Sequence, residues 1–235
     1  MSERFAGQVA LVSGGTGALG RAVTAAFLDE GAVAVATYRQ RDEFDAVRQA
    51  VGAGASRLEG DTVDVTDEPA VQLFVDGILA KHGRLDILVN AVGGYAAGRA
   101  LWDMDAGVMR RMLSLNLMPG YALCRTVAPV MLRQKHGAIV NVASMAAVNH
   151  AASSAEYAAS KAAAVAMIDS LSADLAGTGV RANSILPTII DTEANRKAMP
   201  GADYRTWPKP SDIARVILFL CSDDAKLING ASIPL

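Results

Sequence analysis

Short apolar segments rich in β-branched residues alternate along this chain with segments in which apolar residues recur every three or four positions. The first pattern predicts buried β-strands and the second predicts amphipathic α-helices. The predicted strands are Gln8–Ser13, Val33–Thr37, Leu85–Ala91, Ala138–Ala143 and Val180–Leu186. The predicted helices are Ala18–Glu30, Asp42–Val51, a long apolar stretch around Met104–Arg133, Ser154–Ala176, and Ser211–Cys221 with Ser211 as its cap.

Runs such as Val9–Val12 are apolar at successive positions, so both faces of these strands are expected to be buried. That is typical of a parallel sheet with helices packed on each side. The alternation therefore predicts one α/β domain over residues 1–235, a doubly wound parallel sheet of Rossmann type with helices on both faces. The stretch Asp191–Lys209 interrupts the pattern with prolines and glycine, and we interpret about 188–210 as a substrate loop.

The composition narrows the class of protein further. The 235 residues are 51% hydrophobic and 20% charged with a net charge of −2, which is typical of a globular protein without a basic stripe for nucleic acid. Two cysteines, Cys124 and Cys221, lie far apart, so neither a disulfide framework nor a zinc site is expected. We therefore expect a cytoplasmic protein with a small-molecule substrate, no metal, and no nucleic-acid or membrane partner.

A glycine-rich segment, Ser13–Gly20, joins the first predicted strand to the first predicted helix. Within it Gly15, Gly17 and Gly20 fit the pattern GxGxxG. Glycines let the backbone N–H groups of such a turn approach a pyrophosphate, and the following helix N-terminus adds partial positive charge. The position between a strand and a helix favours a dinucleotide site, with an ordinary glycine-rich turn as the alternative.

Four polar residues predict an acid–base site. Tyr157 and Lys161 are four apart on one predicted helix and share a face, and a nearby ammonium group would lower the pKa of the phenol. Ser144 follows a predicted strand, at the sheet edge where α/β proteins bind ligands. Asn116 lies in an apolar stretch and needs a buried hydrogen-bond partner. The alternative for Tyr157 and Lys161 is an exposed pair on a surface helix.

Together these motifs resemble the short-chain dehydrogenase/reductase family over essentially the whole chain. The family's YxxxK motif matches Tyr157 to Lys161, and its active-site serine, thirteen residues earlier, matches Ser144. Its helix asparagine matches Asn116. The resemblance implies hydride transfer between NADP(H) or NAD(H) and a carbonyl/alcohol pair, with Tyr157 transferring the proton. It also implies that Ser144 holds the substrate oxygen, that Lys161 binds the nicotinamide ribose and tunes Tyr157, and that Asn116 holds a water.

The resemblance further implies a set of cofactor-binding residues. In this family the adenine-contacting acid corresponds to Asp64. The second strand runs into Tyr38 and Arg39 rather than into an acidic residue that would bind ribose hydroxyls, so NADP(H) is expected to be preferred, with Arg39 pairing to the 2′-phosphate. The full set is Gly14, Thr16, Gly17, Leu19, Gly20, Arg39, Asp64, Val65, Asn90, Val92, Gly93, Tyr157, Lys161, Pro187, Ile190 and Thr192.

The segment Pro187–Trp207 resembles the matching stretch of quinoid dihydropteridine reductases. We expect it to form one wall of a pocket for a compact, flat or cyclic carbonyl substrate, with Met199 and Trp207 covering a ring. Alternatively, those two side chains only pack the loop onto the core. Pterin reduction is the second hypothesis for the function, and a non-catalytic nucleotide-sensing protein is the third. The family resemblance and the two long apolar helices also predict a homotetramer.

Overall fold

The computed structural model of the chain describes residues 3–235. Its strands are β1 (Val9–Ser13), β2 (Val33–Tyr38), β3 (Leu58–Thr62), β4 (Ile87–Asn90), β5 (Gly137–Val142), β6 (Val180–Leu186) and β7 (Ser232–Pro234). They form one parallel sheet in the order β3-β2-β1-β4-β5-β6-β7. This order, in which the chain crosses from β3 back to a position beside β1, confirms the predicted doubly wound parallel sheet.

Both faces of the sheet are buried, as the apolar strand sequences predict. In β1, Val9 and Leu11 pack on one face, and Ala10 and Val12 pack on the other. The helices are α1 (Ala18–Asp29), α2 (Arg41–Ala50), α3 (Glu68–His82), α4 (Ala106–Asn116), α5 (Met118–Gln134), α6 (Ala155–Asp174), α7 (Glu193–Ala198) and α8 (Pro210–Cys221). Helices α3, α5 and α6 cover the face of Leu11, whereas α1 and α8 cover the opposite face. Within residues 3–235, no helix has the length and apolar character that crossing a membrane requires.

The stretch predicted as one helix around Met104–Arg133 is two helices, so this prediction is wrong. Helix α4 ends at Asn116 and α5 begins two residues later, after Leu117 with φ −108° and ψ −52°. Pro119 in the first turn of α5 has no N–H to donate to the preceding turn, so the ladder of hydrogen bonds is interrupted there. The break leaves Asn116 at a helix end rather than in a helix interior.

The predicted cap of the last helix is also wrong. Helix α8 begins at Pro210, and Lys209, not Ser211, precedes it as the capping residue. A proline suits the first position of a helix because its φ is already helical and the N–H that it lacks would have had no helical partner.

The segment Asp191–Lys209 is less irregular than expected. Thr192 caps the short helix α7, and a 3-10 turn follows at Tyr204–Thr206. The backbone N–H of Asp191 donates to the carbonyl of Pro208 at 2.9 Å, which closes the base of the segment. The segment is therefore a compact excursion that starts just after the carboxyl end of β6.

Candidate active site

A row of buried polar side chains crosses the carboxyl ends of three neighbouring strands. Ser13 on β1, Asn90 on β4 and Asn141 on β5 lie in register. The Ser13 hydroxyl donates to Asn90 Oδ1 at 3.3 Å, and Asn90 Nδ2 donates to Asn141 Oδ1 at 2.9 Å. Since all three residues are almost fully buried, the Asn90 side chain ties the strand ends together.

The turn after β1 is so closely packed that it requires glycine. Gly14 has a φ of +69°, a left-handed conformation that favours glycine. A Cβ on Gly20 would overlap the carbonyl oxygen of Gly14, and a Cβ on Gly15 would lie 2.6 Å from that of Ala36. Helix α1 follows Gly17, and within the described residues no side chain caps it. The N–H groups of its first turn are therefore available to an anion.

This turn and the strand ends border a cleft of about 510 Å³. Eight residues predicted to bind the cofactor line it, namely Gly14, Thr16, Gly17, Arg39, Asp64, Val65, Val92 and Gly93. Nine others complete its lining, namely Thr37, Tyr38, Glu43, Thr62, Val63, Thr66, Ala91, Leu115 and Pro119. Hydrogen bonds from Thr66, and to a lesser degree the charge of Arg39, lower the pKa of Asp64. The cleft therefore carries a fixed anion beside the end of β3.

The other predicted cofactor residues lie outside that lining, namely Leu19, Gly20, Asn90, Tyr157, Lys161, Pro187, Ile190 and Thr192. Leu19 and Ile190 pack in the same apolar cluster against the sheet. Thr192 Oγ1 accepts a hydrogen bond at 3.1 Å from a backbone N–H of α7. The Pro187 carbonyl accepts one at 3.0 Å from the N–H of Met145, which ties the segment after β6 to the loop of Ser144. Cofactor contacts by these residues stay predictions.

Tyr157 lies half-buried in the first turn of α6, beside Ser144. Burial raises the pKa of its phenol, hydrogen bonding with Ser144 lowers it, and the neighbouring Tyr95 raises it further. The Tyr95 ring lies edge-on to the Tyr157 ring, with the centroids 4.9 Å apart, and Tyr95 is 72% exposed. The site therefore combines a protonated phenol, a serine hydroxyl and an exposed aromatic ring.

The structure corrects the expected effect of Lys161 on Tyr157. Lys161 Nζ donates to the carbonyl of Val142, at the end of β5, at 3.1 Å. Burial lowers the pKa of Lys161 itself from 10.5 to about 8. Burial of the phenol is the largest influence on the pKa of Tyr157 and moves it up rather than down. A Cβ on Gly93 would lie 3.1 Å from Lys161 Nζ, so the lysine reaches the rim of the cleft.

Asn116 joins helix α6 to the loop after β4. Its Oδ1 accepts from the Gly94 N–H at 2.9 Å, and its Nδ2 donates to the Gly94 carbonyl at 3.0 Å and to Ser160 Oγ at 2.9 Å. The buried amide of Asn116 thus finds its hydrogen-bond partners in the backbone of Gly94 and in Ser160 of α6. The water that Asn116 is expected to hold stays a prediction. The bonds fix Gly94 between Gly93 of the cleft and Tyr95, whose ring meets that of Tyr157.

The segment after β6 brings several aromatic and cationic side chains together. The Arg196 guanidinium lies 4.2 Å from the centroid of the Tyr204 ring and forms an ion pair with Asp191. The rings of Tyr204 and Trp207 meet edge-on at 6.4 Å. Met199 and Trp207 are both half-buried, which suits either a pocket wall or loop packing.

Sequence reasoning missed four side chains of this region: Glu43, Tyr95, Asn141 and Ser160. Ser160 lies inside the YxxxK motif and Asn141 lies in the strand before Ser144, so attention to polar residues in these positions could have found them. Glu43 contacts the glycine-rich turn across 27 residues of sequence, and Tyr95 belongs to an aperiodic loop. No pattern in the sequence signals either of these two.

Comparison with known proteins identifies relatives along the whole chain. The model of a family described as short chain dehydrogenase matches residues 8–203. A D-threitol dehydrogenase of Mycolicibacterium smegmatis is 35% identical, with the match covering 98% of this chain and 92% of that protein. A cis-4-hydroxycyclohexanecarboxylate dehydrogenase of Sinomonas cyclohexanicum is 32% identical over 98% of this chain and 96% of that protein.

A solved structure agrees with these relatives. The crystal structure of NAD⁺-bound xylitol dehydrogenase is similar with a TM-score of 0.91 at 26% identity, covering 99% of this chain and 98% of that chain. The range matched by the family model includes the glycine-rich turn, Ser144 and the Tyr157–Lys161 motif. The chain belongs to the short-chain dehydrogenase family.

Proposed function

We propose that the protein is an enzyme that transfers hydride between a nicotinamide cofactor and a carbonyl/secondary alcohol pair, with Tyr157 as its acid–base residue. The observation that carries the proposal is that Ser144 interacts with Tyr157 while Lys161 reaches the rim of the cleft at Gly93. A nucleotide-sensing protein would need only the cleft. The presence of the acid–base group beside it supports an enzyme over a sensor.

The residues of the cluster have distinct roles in this proposal. In the reducing direction the Tyr157 phenol gives its proton to the carbonyl oxygen, and the Ser144 hydroxyl donates a hydrogen bond to the same oxygen. A raised pKa keeps the phenol protonated at neutral pH, which suits this direction. Lys161, with a pKa of about 8, can release and regain a proton near neutral pH.

The cleft fits a dinucleotide. The uncapped N-terminus of α1 and the glycine-rich turn offer backbone N–H groups to a pyrophosphate, and the family resemblance assigns the adenine contact to Asp64. Lys161 would bind the ribose next to the nicotinamide. When bound, the nicotinamide supplies the hydride in reduction and accepts it in oxidation.

We further propose that NADP(H) is preferred over NAD(H). The last residue of β2 is Tyr38, whose ring stacks on Phe44 at 4.7 Å, so no carboxylate stands there to bind ribose hydroxyls. Arg39 follows directly and lines the cleft, where its guanidinium would pair with a 2′-phosphate. A catalytic efficiency with NADH equal to or better than that with NADPH would contradict this preference.

The substrate proposal is a compact, flat or cyclic carbonyl compound, with Met199 and Trp207 covering one face of its ring. A relative named for a hydroxycyclohexane substrate supports this class. Pterin reduction is the second candidate, since the segment that holds Trp207 resembles dihydropteridine reductases.

The experiment that tests the function is a survey of cyclic and open-chain carbonyl compounds with the purified protein and NADPH or NADH. Hydride transfer is followed through the absorbance of the reduced nicotinamide. We expect turnover with at least one class of ketone. Absence of turnover together with absence of cofactor binding would overturn the proposal, whereas cofactor binding without turnover would favour the sensor.

The protein is also proposed to be a homotetramer. Family resemblance and the apolar helices α5 and α6 motivate this, and α4 and α5 carry partly exposed apolar side chains at Met109, Tyr121 and Leu132. Sedimentation at micromolar concentration should show a species near four times the 24.4 kDa chain mass. Material of the single-chain mass alone would contradict it.

A further inference from the structure

We infer that Glu43 is a specificity-determining residue that opposes the 2′-phosphate of NADP(H) and so limits the preference of the cleft for that cofactor. The inference rests on the proposed function, because it requires a nicotinamide dinucleotide in the cleft. Glu43 lies in the first turn of α2, and its Oε2 accepts a hydrogen bond from Thr16 Oγ1 in the glycine-rich turn at 2.9 Å. The carboxylate therefore lies at the wall of the cleft.

The packing of α2 fixes this position. Phe44 is 2% exposed and stacks on Tyr38, the last residue of β2. Burial of Phe44 sets the rotation of α2, so the residue before it faces the glycine-rich turn. Arg39, in the connection from β2 to α2, lines the same cleft as Glu43. Arg39, which is expected to bind a 2′-phosphate, and Glu43, which would repel that phosphate, thus lie at the same end of the site.

The charges at this end do not favour a phosphate as strongly as Arg39 alone suggests. Of the described residues that line the cleft, Arg39 is the only cation, whereas Glu43 and Asp64 are carboxylates. One positive and two negative charges sum to a formal charge of −1. The charge of Arg39 also acts on Asp64: the pKa of Asp64 is lowered mainly by hydrogen bonds from Thr66 and to a lesser degree by the charge of Arg39. A phosphate monoester carries about −1.5 to −2 charges at neutral pH, and the hydroxyl in its place in NAD(H) carries none.

The substitution E43Q separates charge from shape. Its amide oxygen can still accept from Thr16, but the negative charge is gone. We expect the Kd for NADPH to fall about two- to fivefold, as for a charge contact at an exposed site, and the Kd for NADH to change less than about 1.5-fold. The substitution E43K should tighten NADPH binding further. Both effects should shrink at high ionic strength, because exposed charges are screened.

Isothermal titration calorimetry with NADPH and NADH measures these constants without need of a substrate. D42N is the matched control, since Asp42 is exposed, carries the same charge one residue earlier and is not part of the cleft lining. The inference is supported if E43Q alone shifts the ratio of the two Kd values toward NADPH. It is overturned if E43Q leaves the ratio unchanged while both cofactors bind, or if D42N shifts it equally. If neither cofactor binds the unmodified protein, the proposed function itself fails and the inference falls with it.

Discussion

Replacement of Asn116 by alanine removes three hydrogen bonds that hold the loop after β4 against helix α6. They join its amide to the Gly94 N–H at 2.9 Å, the Gly94 carbonyl at 3.0 Å and Ser160 Oγ at 2.9 Å, and Asn116 is 2% exposed. A hydrogen bond of this kind contributes about 1 kcal/mol net, and an unsatisfied buried partner costs about 1–3 kcal/mol. Gly94 is half-buried, so water can replace part of its bonding, and Ser160 Oγ keeps its bond to the Tyr157 carbonyl. We therefore expect the free energy of unfolding to fall by about 2–3 kcal/mol.

The assay is urea unfolding followed by circular dichroism, with thermal unfolding beside it. For a chain of this size the melting temperature should fall by about 4–12 °C, at about 2–4 °C per kcal/mol. Gln49→Ala is the matched control, because Gln49 is an exposed amide on α2 and should change stability by less than about 0.5 kcal/mol. If Asn116→Ala is no more destabilising than Gln49→Ala, the bonds to Gly94 and Ser160 do not hold the loop.

Substitutions at three further residues test the site. Lys161→Met tests the cost of burying the ammonium group. Burial lowers the pKa of Lys161 from 10.5 to about 8, so its unfavourable contribution to the free energy of unfolding is largest below pH 8 and fades as pH rises toward 10.5. Urea unfolding at several pH values should therefore show the greatest difference in stability between the variant and the unmodified protein below pH 8. Tyr95→Ala should change kcat/KM for a substrate found in the survey by about 2- to 12-fold, because the ring against Tyr157 is lost. Tyr95→Phe keeps the ring and should leave kcat/KM unchanged. Equal effects of the two substitutions would argue against a role for the Tyr95 ring. Trp207→Ala should raise KM or lower kcat with unchanged folding, and unchanged kinetics would mean that Trp207 only packs the loop.

Much of the fold follows from periodicity, and the exceptions have physical reasons. Strands β1, β2, β5 and β6 are buried on both faces, and their apolar runs predict them to within one residue at each end. Strands β3 and β7 are not among the predicted strands. They lie at the two edges of the sheet, where partial exposure permits the polar sequence LEGDT in β3 and a length of only three residues in β7. The periodicity does not predict the helix break after Asn116, because the spacing of apolar residues continues through it. The sign of the break in the sequence is the dipeptide Pro119–Gly120.

The candidate site follows from the sequence as far as its members share an element or a strand end. The four-residue spacing of Tyr157 and Lys161 and the place of Ser144 after a strand are local features. The direction in which the pKa of Tyr157 moves is not a local feature, because it depends mainly on burial of the phenol. Contacts of Glu43 and Tyr95 depend on how α2 and the loop after β4 pack, which no spacing encodes.

The central claim is that Tyr157 transfers the proton in a hydride-transfer reaction, and Tyr157→Phe tests it most directly. The variant loses one phenol oxygen and keeps the ring that packs against Tyr95. With a substrate from the survey, kcat should fall by about 10²- to 10⁴-fold, while the Kd for NADPH measured by calorimetry stays within about twofold of that of the unmodified protein. A variant that retains more than half of the activity would contradict the claim that Tyr157 is the acid–base residue.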